Sequence, residues 1–149
     1  MIRKFGTALV VGAASLSLLV TACGGGAEEA KPTSAKADAP AAAAGPVALK
    51  LEDIKFDKTA LSATKGQALT INLNNVGALE HDFTIDKIAG KATFEGKDAK
   101  TDKYAVHAAL KAKGAGKLEL TADEAGTYEY YCTVAGHKEA GMKGTLTVK

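Results

Sequence analysis

GTYEYYCTVAGHKEAGMKGTLTV, residues 126–148, holds two runs of alternating character joined by a loop that carries a cysteine, a histidine and a methionine. Tyr128, Tyr130 and Cys132 share one parity, and so do Leu146 and Val148. Successive side chains of a strand point to opposite faces, so each run offers one apolar face to a core. The pattern predicts two strands, with Cys132 ending the first and Met142 opening the second. Gly126-Thr127-Tyr128 follows an acidic turn, and a tyrosine entering a strand there suits the tyrosine corner of Greek-key sandwiches.

The same period of two runs upstream. Leu49 and Leu51 alternate with Lys50 and Glu52, and Leu69, Ile71 and Leu73 alternate with Thr70, Asn72 and Asn74. His81, Phe83 and Ile85 share a parity, as do Leu118 and Leu120. Gly66, Gly77, Gly126 and Gly144 stand where turns are wanted. Together these predict an all-β, Greek-key β-sandwich over residues 47–149. Between Ala89 and Gly116 the period blurs. Tyr104, His107 and Leu110 have helical spacing while Val106, Ala108 and Leu110 alternate, so an excursion with room for a short helix is expected there.

Cys132, His137 and Met142 follow a Cys-x4-His-x4-Met spacing, and His81 opens a separate strand far upstream. One loop would then fold three donors around one point, and His81 would close the site from the side. A thiolate, two imidazoles and a thioether form the soft, mixed set that holds copper for electron transfer in trigonal His₂Cys sites with a weak axial Met. Zinc competes poorly, because structural zinc sites favour paired Cys or His motifs that this chain lacks. Each residue alone has a plainer reading: a buried Cys is usually an inert small hydrophobe. Their joint occurrence, in order and at this spacing, outweighs those readings. His107 is left as a surface or packing histidine.

In these motifs the chain resembles the cupredoxins, the family of plastocyanin, azurin and the auracyanins, with ligand spacing most like the auracyanins. The resemblance covers Val47 to Lys149 and is strongest over Gly126–Val148. It implies the cupredoxin fold and one type 1 copper per chain, with His81, Cys132 and His137 as equatorial ligands and Met142 as the axial one. By the same likeness Asp82, Thr133 and Val134 surround the ligands. Asp82 stands where many members have Asn and is expected to accept from the Thr133 hydroxyl, stitching the two ligand segments together. Ala135 replaces a common Pro, and Glu80 a common Gly or Pro. The resemblance also places an electron exit at the edge of His137, within a collar that includes Leu79, Ala135 and Gly136.

The function this implies is one-electron carriage between redox proteins, by a monomer. An enzyme is the first rival, since multicopper oxidases and copper nitrite reductases contain such domains, but these need further copper held by several histidines. The chain has 3 histidines and two are already committed. A copper store would use several exchangeable thiols or thioethers, and beyond Met1 only Met142 is present. Copper donation or sensing through the same site remains the alternative.

The N-terminus reads as a targeting signal over residues 1–22. Arg3 and Lys4 precede an apolar run from Gly6 to Val20 that is short for a membrane span. Leu19-Val20-Thr21-Ala22-Cys23 then resembles the lipobox of bacterial lipoproteins, in which the Cys is acylated and becomes the new N-terminus. Two acyl chains anchor stably, since each buried CH₂ contributes about 0.8 kcal/mol. Only Cys23 and Cys132 exist, so lipidation leaves Cys132 without a disulfide partner, and a lone thiol in an exported chain needs a use. Residues 23–46 are Gly, Ala, Pro and small polar residues, expected as a disordered tether with an end-to-end distance of about 25 Å. Lys plus Arg is 19 against 17 for Asp plus Glu, and losing Arg3 and Lys4 leaves 17 of each. That balance excludes the field needed to bind nucleic acid. The expected location is the outer face of a bacterial membrane, periplasmic or at the cell surface. Replacing Cys23 by Ala is predicted to move the protein from the detergent phase to the aqueous phase in a partition assay, with the copper site unaffected.

Overall fold

The computed structural model describes residues 45–149. The signal at 1–22, Cys23 and all but the last two residues of the 23–46 tether lie outside the described residues. Within them the chain forms β1 (Val47–Glu52), β2 (Lys55–Phe56), β3 (Ala60–Ala63), β4 (Ala68–Asn75), β5 (His81–Ile85), β6 (Gly90–Phe94), β7 (Lys97–Asp98), β8 (Val106–Leu110), β9 (Ala115–Ala122), β10 (Gly126–Tyr131) and β11 (Lys143–Val148). One sheet runs β2-β1-β4-β9-β6-β7 and the other β3-β11-β10-β5-β8. The pairs β1–β4 and β3–β11 are parallel and the others antiparallel. The chain repeatedly crosses from one sheet to the other, giving a Greek-key sandwich.

The period-two residues supply the filling. Leu49, Leu51, Leu69, Ile71, Leu73, Leu118 and Leu120 from the first sheet meet Leu61, Phe83, Ile85, Val106, Leu110, Tyr130 and Leu146 from the second, all buried. At the centre Tyr130 stacks on Phe83 with ring centroids 4.9 Å apart and meets Phe56 edge-on at 5.2 Å. Its hydroxyl leaves the apolar cluster to donate to the Lys58 carbonyl at 2.6 Å. The tyrosine corner is present: the Tyr128 hydroxyl donates to the Glu124 carbonyl at 3.1 Å, tying the start of β10 to the preceding turn.

Two expectations are corrected. Residues 89–116 carry no helix; the segment holds β6, β7, β8 and the start of β9. Val106, Ala108 and Leu110 are the inward positions of β8, which pairs with β5 from His81↔Leu110 to Ile85↔Val106. The competing helical spacing comes from Tyr104 and His107, which stack outside the strand with ring centroids 5.5 Å apart. Gly144 is likewise no turn residue. It is the second residue of β11, opposite Tyr130, and a Cβ there would run into the Tyr130 ring and its hydroxyl and lie 2.8 Å from the Thr59 carbonyl. The absent side chain is what lets the central tyrosine lie across the strand. Replacing Gly144 by Ala is predicted to destabilise the fold by about 1–3 kcal/mol, the usual cost of overpacking, read as a lower urea midpoint with an unchanged slope.

Candidate metal centre

His81 is the first residue of β5, and its parity with Phe83 and Ile85 turns it inward. Cys132 directly follows β10, on the parity of Tyr130, and is fully buried. The loop between β10 and β11 then closes on itself. The Cys132 amide donates to the Met142 carbonyl (3.1 Å), the His137 amide to Val134 (3.0 Å) and the Met142 amide to His137 (2.9 Å). Gly136 and Gly141 make this path possible, with φ of 81° and 104° in the left-handed region that side chains with a Cβ avoid.

The result is a convergence of donor atoms at one end of the sandwich. His81 Nδ1 lies 3.2 Å from His137 Nδ1, and Cys132 Sγ lies 3.5 Å from the latter and 4.0 Å from the former. His81 and Cys132 are 0% exposed, His137 6% and Met142 0%. Two ring nitrogens and a sulfur turned on one another in a buried cluster bring lone pairs together, and a cation answers that need. Burial pushes the Cys132 thiol up, while the amides of Asp82 and Val134 facing the sulfur hold it down. Proton and metal therefore compete for the sulfur. The donor set and its fit select copper: His81, Cys132, His137 and Met142 are arranged as a type 1 copper site.

Asp82 is the partner the sequence placed beside Thr133. The Thr133 hydroxyl donates to Asp82 Oδ2 at 2.6 Å, and the Thr133 amide reaches both carboxylate oxygens at 2.9 and 3.1 Å. The Asp82 amide points at Cys132 Sγ, 3.5 Å away. Val134 packs against the core and lends its carbonyl to His137. Leu79, Ala135 and Gly136 are exposed, and Leu79 at 47% is the most exposed large apolar residue among the described residues.

Four residues join the site that sequence reasoning did not place there. The Thr84 hydroxyl donates to Asp82 Oδ1 at 2.8 Å and lies 2.9 Å from His107 Nδ1, so His107 is a packing histidine with a defined partner. Asn75, wholly buried, donates to the carbonyls of Leu79 (2.8 Å), Leu110 (3.2 Å) and Lys111 (3.0 Å) and accepts from the Gly77 amide (3.0 Å). Asp53 Oδ1 lies 2.9 Å from His81 Nε2. The only signal for Asn75 was a polar residue on the apolar parity of β4. Asp53 gave none, because its role depends on which loop its turn meets.

Comparison with known proteins agrees with this geometry. Residues 43–149 match the model of the copper-binding proteins of the plastocyanin/azurin family. Auracyanin-A of Chloroflexus aurantiacus is 32% identical over 153 residues, covering 90% of this chain and 91% of that protein. The copper-resistant cuproprotein CopI of Rubrivivax gelatinosus is 28% identical over 102 residues, 66% of this chain and 62% of that protein. Among solved structures, dithionite-reduced auracyanin of Roseiflexus castenholzii superposes with a TM-score of 0.59 at 22% identity, over 73% of this chain and 99% of that one.

Replacing Cys132 by Ser is predicted to abolish the intense blue absorption of the copper(II)-loaded chain, which arises from thiolate donation. The far-UV circular dichroism of the metal-free variant should match that of the parent.

Proposed function

The chain belongs to the copper-binding plastocyanin/azurin family, and on that premise we propose that it carries single electrons between redox proteins while tethered through lipidated Cys23 to the outer face of a bacterial membrane. When bound, the copper supplies a one-electron Cu(I)/Cu(II) couple. The observation that carries the reading is the donor set itself: the two Nδ1 atoms and Cys132 Sγ lie within 4.8 Å of one another. Donors held in place by the fold move little when charge changes, and that keeps the cost of each transfer low.

The surface over the site supports the same role. The exposed large apolar residues of the described chain are Ile54, Val76 and Leu79, and the bonds from Asp53 to Ala78 and Leu79 bring the Asp53–Ile54 turn against the Val76–Leu79 loop. With the exposed Ala135, Gly136, Ala140 and Gly141 of the ligand loop, we take them as a mainly apolar collar about His137, with Asp53 and Lys113 as charges at its rim. Such a patch suits brief redox encounters, which bury little area and separate quickly.

Catalysis is disfavoured by the histidines: His81 and His137 belong to the site, and His107 is engaged with Thr84 and stacked on Tyr104. The likeness to a copper-resistance protein favours a second reading, in which the same site delivers or senses copper. Electron self-exchange separates the two. Rapid self-exchange with copper that resists transfer to a chelator supports the carrier, and the reverse supports the donor.

The exit through His137 gives a sharper prediction. Placing a carboxylate in the collar with Leu79→Asp or Ala135→Glu sets like charges against each other when two copies meet. Self-exchange should fall about tenfold or more, equivalent to ~1.4 kcal/mol of encounter free energy, with the blue absorption unchanged. Unaltered rates in both variants would move the exit elsewhere.

A further inference from the structure

The Asp53 side chain is 36% exposed, yet it reaches the fully buried His81 ring from outside. Its Oδ1 faces His81 Nε2 at 2.9 Å. The same carboxylate accepts from the Ala78 amide through Oδ2 at 2.8 Å and from the Leu79 amide through Oδ1 at 3.2 Å. Gly77 leaves the opening for it. A Cβ on Gly77 would collide with Asp53 Oδ1, lie 2.9 Å from Asp53 Cγ and 3.1 Å from His81 Nε2. The loop is pinned from its other side by Asn75, whose side chain bonds both the Gly77 amide and the Leu79 carbonyl. A turn between β1 and β2, a missing side chain and a buried amide thus combine to bring one carboxylate to the back of one ligand.

We propose that Asp53 is a positioning residue of the copper centre, accepting the His81 Nε2 proton so that Nδ1 is left bare toward Cys132 and His137, and feeding negative charge through the ring to favour the oxidised metal. An ionised carboxylate only accepts hydrogen bonds, so the proton on this bond belongs to the histidine. Two backbone amides already donate to this carboxylate, from Ala78 and Leu79, so the imidazole joins a set of donors converging on an acceptor. A carboxylate behind a ligating imidazole fixes its tautomer and raises its basicity, and losing one typically lowers metal affinity 10–100-fold. The more highly charged Cu(II) gains most from it, so Asp53 lowers the reduction potential. The proposal rests on the copper centre alone and holds for a carrier or a donor.

The test uses the full chain in detergent, with two readouts. In the copper-free protein, ¹⁵N spectra of the imidazoles should show His81 as the Nε2–H tautomer, lost in Asp53→Ala and kept in Asp53→Asn, which retains an acceptor oxygen. In the copper-loaded protein, Asp53→Ala should weaken Cu(II) binding 10–100-fold relative to Cu(I). A tenfold change raises the potential by 59 mV for one electron. Asp53→Asn should shift it less, and Gly77→Ala should shift it upward with Asp53 still present but displaced. An Nδ1–H tautomer in the parent chain overturns the proposal. So does a lowered melting temperature of Asp53→Ala with an unchanged potential, which would leave Asp53 a purely structural role. A parent chain that binds no copper would overturn the copper reading itself, while the tautomer measurement would still decide where Asp53 acts.

Discussion

Asp82 ties the head of β5 to the loop that follows β10, and every donor atom of the copper site lies on one of those two segments. The ladder between the strands is brief, with Tyr131↔Thr84 as its paired position, so backbone pairing alone would hold the ligand loop weakly. The carboxylate takes over that task. It accepts from the Thr133 amide, the Thr133 hydroxyl and the Thr84 hydroxyl while only 4% exposed. Hydrogen bonds to a charged partner contribute about 1.5–3 kcal/mol each. The clamp thereby fixes the spacing of donors carried on two separate segments.

The site is a continuation of the core. His81 carries the parity of Phe83 and Ile85, and Cys132 that of Tyr130, so the side chains that face copper follow the same alternation as those that face the opposite sheet. Interiors packed this densely do not deform smoothly. The stacked Phe83 and Tyr130 rings lie one step below the two ligands on the same strands. The ligands are thereby held by the aromatic cluster at their bases, by Asp82 across the strands and by the loop's own hydrogen bonds beyond. No single one of these would keep three donors within 4.0 Å of each other.

That continuity explains what was legible in the sequence. Parity is a local property, so the alternation of Leu69, Ile71 and Leu73 or of Tyr128, Tyr130 and Cys132 could be read residue by residue; His81 and Cys132 came with it, and His137 and Met142 from their spacing after the cysteine. The Asp82–Thr133 pairing was legible only through likeness to relatives. Residues 89–116 misled because Tyr104 and His107 stack across a strand start at a separation that also suits a helix turn. Gly144 misled because a glycine needed for space reads like one needed for a turn. Asn75 joins its own loop at Gly77 and Leu79 to Leu110, 35 residues on, and Asp53 lies 28 residues from His81; no local pattern marks the distant halves of those contacts.

The two aspartates also divide their work. Asp82 is buried, bound on both oxygens, and joins segments that must not separate; its contribution is to geometry. Asp53 sits at the rim, bound to the loop that carries the exposed Leu79. A charge placed there acts on the metal through the His81 ring without entering the core. Core residues set where the donors stand, and each change among them costs stability. Rim residues alter how strongly the donors hold each oxidation state, at little cost to the fold. Asp53 is therefore where the potential could shift between relatives with the sandwich left intact, and its bonds to Ala78 and Leu79 place that adjustment beside the exposed Leu79 of the proposed exit.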